Sequence, residues 1–557
     1  MKRTLCLILC LVLCIGLFAG CGGSKTETPK TDTPANTTPT EAPEQSGGKG
    51  ESALINTGGA ITEGNQAEQT PPPVEAEYYD ELRMYIGDKV AVIDPMSANA
   101  GGTQLGIIDH LAYDSLVYYN INGNYDPCLA LEWSANEDAT EWTYKLREGV
   151  KFHNGEPFTA DDVVFTFETA MENPGCAPSS LWNTVDRVEA NGDYEVTFYL
   201  KGGNVDFIYK TADPTAVIVN REAYESGAEH AGWIGTGPFK IVDMVPNDSI
   251  TYEANEDYWG EKPYCKRFIQ RYIAEEEVRN IMLEKDELDF VNVSGVYIKQ
   301  YSEDPRFVIN SYVMNNLNFV GFNMSKPITG DINFRLACCY AMDREEILDI
   351  ALDGYGQVAE TGAYWGFKTA YKDYDIPAWE QDLDKAKEYL AKSAYKGEEL
   401  TICALSMPQT SKAAQAVQNE LAAIGIKCKI ETMDSPGMTA ATAWDANDKD
   451  IIVTSGALSP LGDSIRALVT PNNNFNKAKY DNPEVLDLVN QAAATPDGPE
   501  RQALYYKIQE IMHEEMPYYP TFHMALYIAA QKGTGGTIFF PTNYHDYGLA
   551  YRLKNPD

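Results

Sequence analysis

Basic side chains are scarce in this sequence, which has 44 Lys and Arg against 82 Asp and Glu and a formal charge of −38 over 557 residues. Binding to a phosphate backbone needs clustered cations, so the composition argues against a nucleic-acid-binding protein and against direct adsorption to anionic lipids. Hydrophobic residues still make up 44% of the chain, which is too apolar for a disordered acidic protein. The length exceeds that of one compact core, so we expect two or more domains.

Catalytic and metal-binding motifs are also missing. The sequence contains no G-x-S-x-G elbow, Walker-type phosphate loop, H-E-x-x-H helix or G-x-G-x-x-G turn. None of its six histidines pairs with another at metal-ligand spacing, and the acidic segment 445–450 lacks the glycine of a calcium loop. We therefore predict no enzyme, no cofactor and no metal site. With 82 acidic residues, a carboxylate pair for glycoside hydrolysis stays open as an alternative.

The 11 cysteines contain no C-x-x-C pair, and an odd number of them follow residue 21. Neither a disulfide framework nor a zinc knuckle is predicted from this pattern. The adjacent pair Cys338 and Cys339 lies in an apolar stretch of helical character. We expect both to be small hydrophobic core residues.

The first twenty residues have the pattern of a secretory signal. Lys2 and Arg3 precede an apolar run over 5–18, and small residues precede Cys21. The run is shorter than the roughly 20 residues that span a bilayer, which disfavours a permanent transmembrane helix. The ending Phe-Ala-Gly-Cys resembles a bacterial lipobox, although Phe18 stands where an aliphatic residue is usual. The resemblance implies a lipid anchor on Cys21 with enough acyl chains to hold the protein stably at the outer face of the cytoplasmic membrane, as in a Gram-positive bacterium.

The next segment predicts a flexible tether. Residues 22–77 contain 7 prolines, 8 glycines and no aromatic residue, so they cannot form a packed core. A chain of this length and composition reaches roughly 40 Å on average. The folded body is expected to begin at Tyr78.

Periodic patterns in the body predict a mixed α/β protein. Apolar and polar residues alternate over 142–146 and 194–200, as in half-buried strands, and Thr159 with Asp162 predicts a capped helix start between them. Further along, a strand over 400–405, a helix over 411–424 that ends at Gly425, and a strand over 426–430 form a β-α-β unit. Such a unit predicts a parallel strand pair.

One family resemblance covers the whole body. Residues 133–164, WSANEDATEWTYKLREGVKFHNGEPFTADDVV, resemble the signature of extracellular solute-binding proteins of the oligopeptide, dipeptide and nickel class. Further matches follow in the family's order: IDP at 93–95, YDSLVYYN at 113–120, GTGPFKI at 235–241, YEANEDYWGEKP at 252–263, FRLACCYAMDREEIL at 334–348 and LAAIGIKCKIETMD at 421–434.

The resemblance implies an α/β, bilobed clamp like that of periplasmic binding proteins, with a subdomain inserted in the first lobe and two crossovers between the lobes. The implied boundaries are 1–20 for the signal peptide, 21–77 for the lipidated cysteine and tether, 78–112, 233–314 and 523–557 for lobe I, 113–232 for the inserted subdomain, and 315–522 for lobe II. Ligand binding between the lobes would close a hinge.

The implied function is that of a monomeric receptor for an ABC importer. It would pass its ligand to permease subunits whose partner ATPases hydrolyse ATP, and it would touch the membrane only through its lipid. A peptide is the favoured ligand, and an oligosaccharide is the alternative within the class. A nickel carrier is disfavoured by the few histidines, and a secreted hydrolase or adhesin on the same fold is the rival from another class.

Three stretches are candidate ligand-binding segments by the same resemblance. In peptide-binding members an aspartate in a W-x-A-D-Y-like segment pairs with the ligand amine. Here Gly456 stands where Trp is common and Ser459 where Asp is expected. Because a buried ammonium without a carboxylate is costly, either another acid, with Asp463 as the candidate, serves the amine or the ligand has none. Ser455, Gly456 and Ala457 could still offer backbone groups to an extended ligand, or could form an ordinary loop.

The other two candidate stretches would form cleft walls. Tyr364 and Trp365 could stack on a ligand, with core packing as the alternative. Gly101, Gly102 and Thr103 could line the cleft or form a plain turn.

Overall fold

The computed structural model describes residues 76–87, 89–97, 111–119, 125–173, 176, 182–359, 376, 379–445, 449–457, 463–496, 498–536, 538–539, 545–546 and 548–556. The predicted signal and tether, with Cys21, lie outside these residues, and so do 101–103, 364–365 and 459. Within the described ranges, no helix is both long and apolar enough to cross a membrane.

The strands are β1 (Glu81–Ile86), β2 (Val117–Tyr119), β3 (Tyr125–Pro127), β4 (Ala130–Ala135), β5 (Glu141–Leu146), β6 (Val185–Ala190), β7 (Glu195–Leu200), β8 (Phe239–Val245), β9 (Ser249–Ala254), β10 (Arg267–Tyr272), β11 (Phe290–Asn292), β12 (Phe307–Phe322), β13 (Gly356–Val358), β14 (Glu399–Leu405), β15 (Lys427–Met433), β16 (Ile451–Ala457), β17 (Tyr518–Gln531), β18 (Thr534–Gly535), β19 (Ile538–Phe539), β20 (His545–Asp546) and β21 (Tyr551–Arg552).

The α-helices are α1 (Ala160–Glu172), α2 (Phe207–Thr211), α3 (Arg221–Glu225), α4 (Glu276–Glu284), α5 (Val296–Glu303), α6 (Ile332–Ala341), α7 (Arg344–Leu352), α8 (Leu383–Lys392), α9 (Pro408–Ala423), α10 (Ser435–Ala441), α11 (Asp463–Val469), α12 (Pro483–Ala494) and α13 (Pro499–Glu515). A short 3₁₀ helix spans Ala231–Trp233.

An 11-stranded mixed sheet organises the molecule, in the order β15-β14-β16-β12-β17-β11-β1-β10-β9-β8, with β13 attached to β17. The two long strands β12 and β17 run through both halves of it. Residues 307–313 of β12 pair with 525–531 of β17 in one half, whereas 317–322 pair with β17 and β16 in the other. The register shifts between Val313 and Leu317, where the halves meet. The two halves of the sheet are therefore joined through these strands. The predicted lobe boundaries at 314/315 and 522/523 lie close to this shift and stay a prediction.

Hydrophobic cores cover both faces of the β12–β16–β14 half. Val320, Phe322 and Val453 pack on one face against α6, α7 and α9, and Leu317 and Phe319 pack on the other against α11, α12 and α13. Both Cys338 and Cys339 are fully buried on the first face, as predicted.

A separate four-stranded sheet, β4-β5-β7-β6, packs with α1 around its own core between residues 96 and 219. The predicted strands over 142–146 and 194–200 are its neighbours β5 and β7. The predicted helix start is confirmed: the Thr159 N–H donates to Asp162 Oδ2 at 2.9 Å.

The predicted β-α-β unit is confirmed as β14, α9 and β15, with the two strands parallel. Helix α9 begins at Pro408, three residues before the predicted start. Proline suits this position because the first turn of a helix needs no N–H donor. Gly425 follows the helix with φ +90°, a conformation that glycine adopts without strain.

A buried carboxylate ties the ends of the described chain together. Asp289 is fully buried and accepts from the Arg83 N–H at 2.6 Å and from Arg552 Nη1 at 2.7 Å. Strand β1, the turn before β11 and the C-terminal strand β21 therefore meet at one carboxyl group.

Helix α9 buries a carboxyl group that makes stability depend on pH. Glu420 is 6% exposed, and burial raises its pKa to about 8, with the charge of Glu346 adding to the shift. The ordinary value is about 4.3. Between these two values the native state holds a proton that the unfolded chain has released, so this group lowers the free energy of unfolding as pH rises.

We expect Glu420→Gln to remove that penalty. At pH 8 its free energy of unfolding should exceed that of the unaltered chain by about 4 kcal/mol, since each unit of pKa difference contributes about 1.4 kcal/mol. At pH 4.5, where the native carboxyl group is protonated, the two should agree. Urea titrations at both pH values measure this, and a constant difference between the two proteins would contradict it.

Candidate functional site

An uncovered strand edge lies where the two halves of the large sheet meet. Strand β16 pairs with β12 as far as Ala457, but on its other side β14 pairs only with Ile451–Val453. Beyond β14 the chain turns, since the Met407 N–H donates to Leu405 O at 2.7 Å and α9 begins at Pro408. Among the described residues, no strand covers this side of 454–457.

The register shows which peptide groups face that edge. The Asn323 N–H donates to Asp450 O at 3.0 Å, whereas the Phe322 N–H donates to Pro517 O at 2.9 Å, on the side of β17, so residue 323 and residue 321 of β12 lie at the hydrogen-bonded positions on the side of β16. Such pairs alternate along an antiparallel ladder. Thr454 and Gly456 therefore bond toward β12, whereas the N–H and C=O groups of Ser455 and Ala457 point toward the uncovered edge.

A row of residues across the sheet beside this edge includes one position without a side chain. Gly456 lies opposite Leu317, which lies opposite His523, which in turn lies opposite Gln357 on β13. A Cβ atom built on Gly456 would meet no other atom within 4 Å. The absence of a side chain at this position therefore leaves free space on the face that carries Leu317 and His523.

His523 is a polar member of that row that sequence reasoning treated as structural. Its side chain is 4% exposed, and its Nδ1 atom has no hydrogen-bond partner. Burial lowers its pKa to about 4, so the ring is neutral at physiological pH. No sequence signal pointed to it, because its place beside Leu317 is set by the pairing of β17 with β12.

The remaining predicted site residues are placed only in part. Asp463 is the first residue of α11, six positions after the end of β16. The candidates Gly101, Gly102, Thr103, Tyr364, Trp365 and Ser459 lie outside the described residues. Their roles, and those of Ser455, Gly456, Ala457 and Asp463, stay predictions.

The arrangement suits binding rather than covalent chemistry. It offers backbone donors and acceptors, free space beside Gly456 and a neutral imidazole. In the described ranges, no cluster of three or more His, Cys, Asp or Glu side chains is arranged to hold a metal ion.

Comparison with known proteins places these features in a family. The model of a family described as "Bacterial extracellular solute-binding proteins, family 5 Middle" matches residues 124–476. The oligopeptide-binding protein AppA of Bacillus subtilis is 27% identical over 452 residues, which cover 75% of this chain and 82% of that protein. The dipeptide-binding protein of Escherichia coli is 26% identical over 487 residues, covering 78% and 88%.

Solved structures match the fold. The ABC transporter substrate-binding protein CtaP of Listeria monocytogenes superposes with a TM-score of 0.76 at 23% identity, covering 86% of this chain and all of that one. This match and the large mixed sheet confirm the predicted fold class, a two-lobed α/β clamp.

Proposed function

Because the chain belongs to family 5 of the bacterial extracellular solute-binding proteins, as the sequence resemblance predicted, we propose that it captures an extracellular peptide between two lobes and delivers it to the permease of an ABC importer. Members of this family are binding proteins rather than enzymes. The specific ligand class, the delivery step and the lipid anchor are the parts that we propose.

The uncovered edge of β16 carries the peptide proposal. Ser455 and Ala457 present an N–H and a C=O each, two residues apart, along a strand with one free side. An extended peptide has the same repeat of donors and acceptors and can add to such an edge as a further strand. The hydroxyl groups of an oligosaccharide do not follow this repeat. The names of the two relatives, oligopeptide-binding and dipeptide-binding, support the same ligand class.

The position of Asp463 supports its proposed role with the ligand amine. The carboxylate expected at residue 459 is replaced by serine, and Asp463 at the start of α11 is a nearby acid along the chain. We propose that it pairs with the amine of a bound peptide. Binding of a peptide and of its N-acetylated form to Asp463→Asn tests this pairing, because only the free amine should lose affinity.

The proposed location follows from the family and from the N-terminal sequence. Family members act outside the cytoplasm. Cys21 in its lipobox-like setting supports attachment by lipid to the outer face of the cytoplasmic membrane of a Gram-positive bacterium. The tether would hold the acidic body away from the anionic surface.

One preparation tests both parts of the proposal. The protein is extracted from native membranes with mild detergent, and mass spectrometry identifies the released ligands and the mass of the peptide that begins at Cys21. We expect peptides as ligands and a diacylglyceryl group on Cys21. Recovery of sugars without peptides would overturn the peptide proposal, and an unmodified Cys21 would overturn the anchor.

A hydrolase is distinguished by a second step on the same material. Adding the recovered ligands back should raise the unfolding temperature without generating new products. Fragments that accumulate with time would instead indicate an enzyme on this fold.

A further inference from the structure

A buried ion pair connects two distant parts of the fold. Arg501 Nη2 lies 2.5 Å from Asp206 Oδ2, and the two side chains are 1% and 6% exposed. Asp206 immediately precedes α2, whose Phe207 belongs to the core of the small sheet. Arg501 lies in α13, which contributes Ile508 to the core beside β12 and β16. The pair therefore joins the segment 113–232 to the segment 315–522.

Arg501 is not placed to stabilise its own helix. It lies in the first turn of α13, after Pro499 and Glu500. The positive end of the helix dipole lies there and disfavours a cation. Within the helix its guanidinium lies 5.6 Å from the centroid of the Tyr505 ring, a contact that does not require a cation at this disfavoured position.

Asp206 likewise does not serve the helix that follows it. It occupies the position before α2 where aspartate commonly caps, yet its side chain makes no capping hydrogen bond. Its backbone is held by Asn204, whose Oδ1 accepts the Asp206 N–H at 3.0 Å. The Asn204 N–H in turn donates to Ala139 O at 2.9 Å. The carboxylate is thus positioned for its partner across the interface.

Among the ion pairs of the described residues, no other joins 113–232 to 315–522. The pair between Lys507 of α13 and Glu484 of α12 lies within one segment, and its side chains are 53% and 60% exposed. Rotation of the two sheet halves about the shift in β12 would separate Asp206 from Arg501 and return both charges to water.

We propose that Asp206 and Arg501 form a latch that stabilises the closed form and so sets ligand affinity without touching the ligand. This rests on the proposed function, because closure is taken to accompany capture. If one partner is removed, the other charge stays buried in the closed form without this ion pair, whereas opening hydrates it. Single variants therefore shift the equilibrium toward the open form and weaken apparent binding. Removal of both charges relieves the penalty.

The test measures the distance between dyes on non-natural side chains at positions 222 and 487, both exposed, by single-molecule energy transfer. The probe ligand is a tryptic digest of casein. The proteins are the unaltered chain, Asp206→Asn, Arg501→Met, the double variant and the control Lys507→Met. For each single variant, the digest concentration that closes half of the molecules should be at least about tenfold higher than for the unaltered chain. The double variant should recover most of this loss, and the control should match the unaltered chain.

The outcomes separate this proposal from the proposed function. The distance between the dyes without ligand tests the latch even if no peptide binds. The unaltered chain should populate a short dye-to-dye distance, which marks the closed form, and the single variants should lose it. Equal distances and equal midpoints in all five proteins would overturn the latch. If the digest closes none of the proteins but the single variants still lose the short distance, the proposal of a peptide ligand is overturned and the latch stays supported.

Discussion

Ser455→Pro is expected to lower peptide affinity by at least about 100-fold while the ligand-free protein stays folded. The Ser455 N–H points toward the uncovered edge of β16, and proline removes this donor and places its ring where a ligand strand would lie. The ladder to β12 uses residues 454 and 456 and keeps its bonds. Proline is tolerated in a strand when its N–H side faces outward. The loss of a backbone hydrogen bond and the steric block therefore act on binding alone.

Two neighbouring substitutions serve as controls. Ser455→Ala keeps the backbone donor, so peptide binding should persist. Gly456→Pro removes a donor that bonds toward Leu317 and should lower the unfolding temperature without ligand. Titration calorimetry with the peptides recovered from native membranes measures affinity, and differential scanning fluorimetry measures folding. Unchanged affinity in Ser455→Pro would show that the edge does not bind the ligand.

Gly237→Ala is expected to destabilise the protein by about 3 kcal/mol or more. A Cβ atom at this position would lie 2.6 Å from Ala112 C and 2.7 Å from Tyr113 N, both of them backbone atoms that no side-chain rotation can move away. The neighbouring Thr236 Oγ1 donates to buried Asp114 at 2.9 Å, and Trp259 donates to the same carboxylate. Separation of the two chain segments would therefore also break this hydrogen-bond network.

Gly456→Ala is the matched control, because the added methyl group meets no atom within 4 Å. Thermal unfolding of both variants without ligand gives the comparison. We expect a midpoint several degrees lower for Gly237→Ala and little change for Gly456→Ala. Equal midpoints would mean that the loop at 235–238 can move away from Ala112 at little cost.

Local elements were predictable because their signals lie within a few residues. Alternation over 142–146 identified β5, a short apolar run over 400–405 identified β14, and the periodic face of α9 identified its helix. The start of α9 was missed by three residues, since the apolar period does not report how far the first turn extends. The GTGP segment was identified from the sequence only as part of a family match at 235–241. That its glycines allow close approach to Ala112 depends on a contact more than 100 residues away in sequence.

The candidate site was predictable in part. The resemblance selected residues 455–457, and the structure places them on a strand with one free side. Which of their peptide groups face outward depends on the register with β12, which no property of residues 455–457 specifies. His523 joins the same row through the pairing of β17, so its position could not be inferred from its neighbours in sequence.

The sequence by itself determined the family, the α/β class and the predicted division into a signal peptide, a tether and a folded body. Composition and contiguous motifs carry this information. Only the tertiary structure decided where β14 leaves β16 uncovered and that Asp206 meets Arg501, 295 residues apart. Such contacts depend on strand register and on the packing of separate cores. Many registers and packings satisfy the same local pattern, and the summed burial and hydrogen bonding of the whole fold select one of them.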